Sequence, residues 1–231
     1  MDTKQLEQLI RDAVGDADLR PEEIPSIDLY LDQITSLASD KRRQGSPRFY
    51  DRELTKTMVN NYSKDGLIRP IKGKKYSKEH ILQMLLVYEM KNTLSIGEIQ
   101  EVLQSLYAKP GYDEQMLEAI WRRYLDVKES ERGDVQSLVE SLATANGLDL
   151  SGEEDFLVLL LGLSNLSSYL KNVSQALLEA HYSSASKKKK DKEKKKEKSE
   201  DAPEKPKKEK KAKKEEAKAT SDAPEAGEAE E

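Results

Sequence analysis

Apolar residues recur at intervals of three and four along most of this chain, and that period predicts a protein built almost wholly of helices. Leu6, Leu9, Ile10 and Ala13 place one apolar face on residues 3–14. A second helix is predicted from Ser26 as N-cap, with Asp28 in its first turn and Ile27, Tyr30, Leu31, Ile34, Leu37 and Ala38 along one side. Gly45 and Pro47 break the pattern, so residues 40–52 read as a loop. The helix predicted over 54–65 sorts its side chains sharply. Leu54, Met58, Val59 and Tyr62 share one side, and Lys56, Thr57, Asn60, Asn61 and Lys64 the other. Gly66 is placed to end it, and Pro70 prevents it from resuming. A short loop with Gly73 at its tip runs to Tyr76. Ser77 then opens a helix carrying Ile81, Leu82, Leu85, Tyr88 and Met90. Ser95 and Glu98 have capping-box spacing at the head of the next. "YDEQMLEAIWRRYLDVKESE" and "DVQSLVESLATAN" predict two more, and a long helix follows "SGEED".

That last helix carries a second period. Phe156, Leu163, Leu170 and Leu177 stand seven apart, and Leu159, Leu166, Val173 and Ala180 complete a heptad seam. The seam reads either as a dimer interface or as one helix packed in the chain's own core. Its unbroken apolar run, "FLVLLLGL", is short of the ~18–20 residues that span a bilayer, so no membrane segment is expected. From Lys187 onward there is no Leu, Ile, Val, Phe, Tyr or Trp. Such a segment cannot bury enough apolar surface to offset its ordering entropy, and it is expected to be disordered. The expected organisation is an N-terminal helix and linker at 1–25, a helix–turn–wing unit within 26–110, a helical region at 111–186 and a charged tail at 187–231.

Charge changes this picture more than composition does. The formal net charge is −5, yet residues 41–78 hold 12 basic and 3 acidic residues, a net of +9. The rest of residues 1–186 holds 10 basic and 27 acidic, a net of −17. A local patch of that sign attracts phosphate backbones whatever the overall balance. The tail repeats the asymmetry, with +9 over 187–214 and −6 over 215–231. It reads as nonspecific DNA affinity or as an inert solubility tail. The absence of Cys excludes disulfides, thiolate metal sites and cysteine nucleophiles, and fits a reducing cytoplasm. "MDTKQLEQLI" lacks the basic and apolar regions of a signal peptide.

The chemistry suited to such a patch is base and phosphate recognition. Asn bonds adenine in a bidentate way, and Lys or Arg bonds guanine or phosphate. Asn is a poor former of helix interiors, so Asn60 and Asn61 side by side point to a contact outside the chain. Arg69, Lys72, Lys74 and Lys75 are candidates for phosphate. Tyr62 and Tyr76 are assigned to packing. The case for catalysis is poor. The two His residues, His80 and His181, belong to no nucleophile–base set, no metal-ligand spacing and no phosphate-binding Gly loop, so no enzyme, metal or cofactor is expected. Trp121 and Tyr124 are assigned to the core in preference to an effector pocket, and no effector is identified.

"VNNYSKDGLIRPIKGKKYSKEHI" followed by "SIGEIQEVL" resembles the winged helix–turn–helix of the mercury-resistance regulator (MerR) family. Tyr62 matches the last Tyr of that family's recognition helix, and Gly66, Leu67, Ile68 and Pro70 match its turn. Lys74 stands at its wing Arg and Tyr76 at its wing Tyr, while Ser95, Ile96, Glu98 and Ile99 match the following helix. With "IPSIDLYLDQIT" and "LTKTMVNNY", residues 24–180 are similar to a bacterial family catalogued as domain of unknown function 1836. The resemblance implies an all-α fold with a winged helix–turn–helix and a cytoplasmic bacterial transcription regulator that binds double-stranded DNA as a homodimer. It implies base contacts from Lys56, Thr57, Asn60, Asn61 and Lys64, and phosphate contacts from Arg69, Lys72, Lys74 and Lys75. Arg42, Arg43, Arg48 and Arg52 would add further phosphate contacts. Phe156, Leu159, Leu163, Leu166, Leu170, Val173 and Leu177 would join the two copies. Two departures stand out. Asn60-Asn61-Tyr62 replaces the family's Arg-Tyr-Tyr, and a loop of about a dozen residues replaces the tight turn between the first two helices. The alternative is a non-catalytic adaptor of MerR-like shape that binds an acidic protein.

Overall fold

Helix caps and breakers decide where the elements of this chain begin and end. The computed structural model describes residues 1–49 and 53–200. Asp2 caps α1 (Thr3–Val14), accepting Gln5 N–H at 2.8 Å while the Gln5 side chain accepts Asp2 N–H at 3.2 Å. There follow α2 (Leu31–Arg42), α3 (Lys56–Lys64), α4 (Lys78–Met90), α5 (Ile96–Tyr107), α6 (Glu114–Ala145) and α7 (Glu153–Glu200). Two short strands, β1 (Leu29–Tyr30) and β2 (Lys75–Tyr76), pair antiparallel, with Leu29 opposite Tyr76 and Tyr30 opposite Lys75. The chain divides into two units, Met1–Ser184 and Ala185–Glu231. The described part of the second is the C-terminal stretch of α7.

The core of the first unit gathers around α4. Ile81, Leu82, Met84, Leu85, Val87 and Tyr88 are all buried, so this helix is covered nearly all round. Val59 and Tyr62 of α3, Leu67 and Ile68 of the turn after it, Ile99 and Leu103 of α5, and Leu117 and Trp121 of α6 complete the cluster. Trp121 is core, as its sequence suggests, and its indole N–H donates to Leu19 O at 2.8 Å. The segment after α1 is held by charge as well. Lys128 meets Asp16 at 2.5 Å and Asp18 at 2.6 Å, and Arg132 meets both at 2.7 Å.

Four sequence expectations are corrected. The second helix starts at Leu31, not after Ser26. Leu29 and Tyr30 are taken into the strand pair, and Ile27 and Tyr30 are exposed. That helix also runs to Arg42, so the loop begins later than residue 40. The two helices expected around Gly133 are one continuous α6. An interior Gly costs only about 1 kcal/mol, too little to break a helix that has no Pro and no internal cap. Finally, α7 passes the expected boundary at 186 and stays helical to Glu200. Lys and Glu are good helix formers, and here they extend a helix already nucleated by apolar residues. Residues 201–231 of the expected disordered tail lie outside the described residues.

Candidate nucleic-acid interface

Thr55 caps α3, its hydroxyl accepting Met58 N–H at 3.2 Å. The helix ends in a Schellman turn. Gly66 takes φ 67°, its N–H meets Ser63 O at 3.3 Å, and Leu67 N–H meets Tyr62 O at 2.9 Å. Leu67 and Ile68 then plunge into the core. Val59 and Tyr62 bury one side of α3, and Lys56, Thr57, Asn60, Asn61 and Lys64 are exposed on the other. The two faces of α3 and its stop at Gly66 are those the spacing predicts, while the helix expected over 54–65 is shortened to Lys56–Lys64 behind its Thr55 cap.

The basic loop after the turn is anchored at its base by one buried side chain. Gln83 of α4 is the one fully buried polar residue among the described residues. Its Oε1 accepts Arg69 N–H at 2.9 Å, and its Nε2 donates to Glu79 Oε1 at 3.0 Å and Tyr112 Oη at 3.2 Å. The Tyr107 hydroxyl donates to Leu67 O at 2.9 Å, and Gln100 Nε2 donates to Asp65 O at 2.9 Å. Beyond this clamp Gly73 turns the loop at φ 77°, and β2 closes it against β1. Sequence reasoning missed Gln83. Its signal was a lone amide between Leu82 and Met84, in a helix otherwise apolar on that side.

The predicted site residues divide by engagement. Lys72, Lys74 and Lys75 are exposed, and Lys75 Nζ lies 5.0 Å from the Tyr30 ring. Lys56 is exposed and ion-paired to Asp32. Arg69 is exposed but committed within the chain, 3.2 Å from Glu79 and 5.6 Å over the Tyr112 ring. Arg43 and Arg48 are exposed, and Arg42 is half-buried. Arg52 lies outside the described residues. Tyr62 and Tyr76 are buried, which suits packing. The Tyr62 hydroxyl has no hydrogen-bond partner among the described residues. Burial, reinforced by neighbouring Tyr88, pushes its pKa up to about 12, so it stays neutral.

The heptad positions of α7 are unevenly covered. Leu159 is buried, Leu163 and Leu166 are half-buried, and Phe156, Leu170, Val173 and Leu177 are exposed. Leu157, Val158, Leu160 and Leu161 are exposed on its other sides. The stretch Glu153–Tyr182, which contains the apolar run read from the sequence, is long and apolar enough to cross a membrane by length and composition.

Residues 19–124 match the model of a family described as a domain of unknown function (DUF1836). The match supports that family for the segment holding β1 through the first part of α6, and stops short of residue 180, the limit suggested by the sequence resemblance. No curated protein and no solved structure matches the chain.

Proposed function

We propose that this protein is a DNA-binding transcription regulator of the MerR-like type. In this reading α3 enters the major groove, with Asn60 and Asn61 reading base edges and Lys56, Thr57 and Lys64 beside them. The loop over 69–76 is the wing. Lys72, Lys74 and Lys75 hold phosphates there, and Arg69 sets the wing's position through Glu79 and Tyr112. Two copies joined through α7 would present two such helices to a palindromic site. The observation that carries the reading is one exposed polar face, from Lys56 to Lys64, continuous in sequence with an exposed run of lysines, in a chain that is otherwise strongly acidic.

The test is enrichment of genomic fragments by the purified full chain at ~150 mM salt, where purely electrostatic binding is suppressed. A palindromic motif is expected, weakened by Lys74→Ala/Lys75→Ala. Asn60→Ala should cost ~1–3 kcal/mol at the enriched site and relax preference there. An unchanged affinity in a folded Asn60→Ala protein would remove Asn60 from the reading frame of bases. If no sequence is enriched and a protein partner survives nuclease treatment, the chain is the adaptor instead.

A further inference from the structure

Six Lys and Arg side chains among the described residues are half-buried: Lys41, Arg42, Lys78, Lys91, Lys128 and Arg132. A cation withdrawn from water needs a counter-charge, and four of the six have one. Lys41 holds Glu23 at 2.6 Å, Lys78 holds Glu118 at 2.6 Å, and Lys128 and Arg132 share Asp16 and Asp18. Arg42 and Lys91 form no ion pair with any described residue. Both instead stand on one buried ring. The Arg42 guanidinium carbon is 4.3 Å and the Lys91 ammonium 3.9 Å from the centre of Tyr88.

Cation–π contact and the helix ends offset part of this cost. Arg42 closes α2 and Lys91 caps α4, so both lie where a helix dipole favours positive charge. Neither effect neutralises the charge. The Lys91 pKa is nonetheless lowered, by burial first and then by Arg42, against the pull of Glu89. Glu89 is itself committed to the Tyr124 hydroxyl at 2.7 Å and to Lys128. Lys91 reaches the candidate reading helix on the flank that carries Met58, its Nζ 3.5 Å from Met58 Sδ.

We propose that Arg42 and Lys91, seated together on Tyr88, form a phosphate-binding pair that grips the DNA backbone beside α3. This rests on the DNA-binding reading, and adds to it Lys91, which lies outside the basic cluster of the sequence. Lys91 lies close enough to feel the charge of Arg42, and a phosphate that meets both would offset that repulsion. Arg42 was legible as a candidate from its place in the basic run. Lys91 was not, because it stands alone at the end of a mostly apolar helix and only the fold brings it to Arg42.

The test measures affinity of the full chain for its enriched duplex across a salt series. Arg42→Gln and Lys91→Gln should each reduce the slope of log affinity against log salt by about 0.9, with the ranking of sequences unchanged. Lys91→Arg should keep the wild-type slope, which separates lost charge from lost folding. An unchanged slope in folded Arg42→Gln and Lys91→Gln proteins would overturn the pair while leaving DNA binding intact. Should the wild-type chain bind no DNA, inorganic pyrophosphate is titrated while the Met58 methyl and Tyr88 ring resonances are followed. Shifts that vanish in Lys91→Gln would keep a phosphate site and sink the DNA reading. No shift would sink both.

Discussion

Single residues in this fold act mainly by what they hold still. Gln83 carries three hydrogen bonds in a place where no water competes. Gln83→Leu would fit by shape but leave Arg69 N–H without its partner. A loss of ~1–3 kcal/mol is expected, read from urea unfolding. Faster amide exchange at residues 69–76 should accompany it, since the loop loses its anchor. A loss confined to global stability, with no local change in exchange, would deny Gln83 that role. Lys128 holds a second, half-buried junction. Removing it as Lys128→Met strands Asp16 and Asp18, although Arg132 still reaches both. A loss of about 3 kcal/mol is expected, the low end for breaking a buried pair. Burial raises the Asp16 pKa, but the bonds from Lys128 and Arg132 outweigh it and hold the carboxyl below its ordinary value of 3.8. A depressed carboxylate stabilises the fold at every pH above its unfolded value and loses that contribution as pH falls through the folded one. The wild type should therefore lose stability below pH 3.8, and Lys128→Met should lose less over the same range.

At the scale of elements, two glycines make opposite predictions. Gly66 sits at positive φ in the Schellman turn, where a Cβ is strained, so Gly66→Ala should destabilise by ~1–2 kcal/mol. Gly133 lies mid-helix in α6 with open space around its Cα, so Gly133→Ala should stabilise by ~0.5–1 kcal/mol. Denaturant midpoints for the two variants should move in opposite directions, and movement of both in one direction would contradict this account of the turn or of the helix. The pair also shows what was legible in the sequence. Gly66 was readable as a helix stop because Gly suits the C′ position and Pro70 behind it keeps the helix from resuming. Gly133 looked like a break because local propensity says nothing of the apolar face that runs through it to Val139 and Ala143. The exposed face of α3 followed from spacing alone. Strand β1 did not, because two residues carry no period and only the distant partner Lys75–Tyr76 makes them a strand. Gln83, Lys91 and the Asp16–Lys128 junction were illegible for the same reason: each depends on contacts across many residues of chain.

For the whole molecule the open matter is α7. A helix exposing Phe156, Leu170, Val173 and Leu177 on one seam, and Leu157, Val158, Leu160 and Leu161 elsewhere, has more apolar surface than its own chain covers. A parallel or antiparallel pairing along the heptad seam would cover the first group, and it follows from the proposed regulator that pairing should govern DNA binding. In sedimentation the full chain should run at about twice the 26.2 kDa of one copy. Leu170→Lys/Leu177→Lys should return it to a single copy, because two charges cannot enter a two-helix seam. Leu157→Lys/Leu161→Lys, off the seam, should leave the pair intact. Affinity for a palindromic duplex should fall ~10²–10⁴-fold in the seam variant, the advantage that linked half-site contacts confer, while affinity for a single half-site should hold. A full chain that sediments as one copy and pellets with phospholipid vesicles would mean that α7 faces lipid. The seam would then be an accident of a helix apolar on every side, and a palindromic target would lose its structural reason.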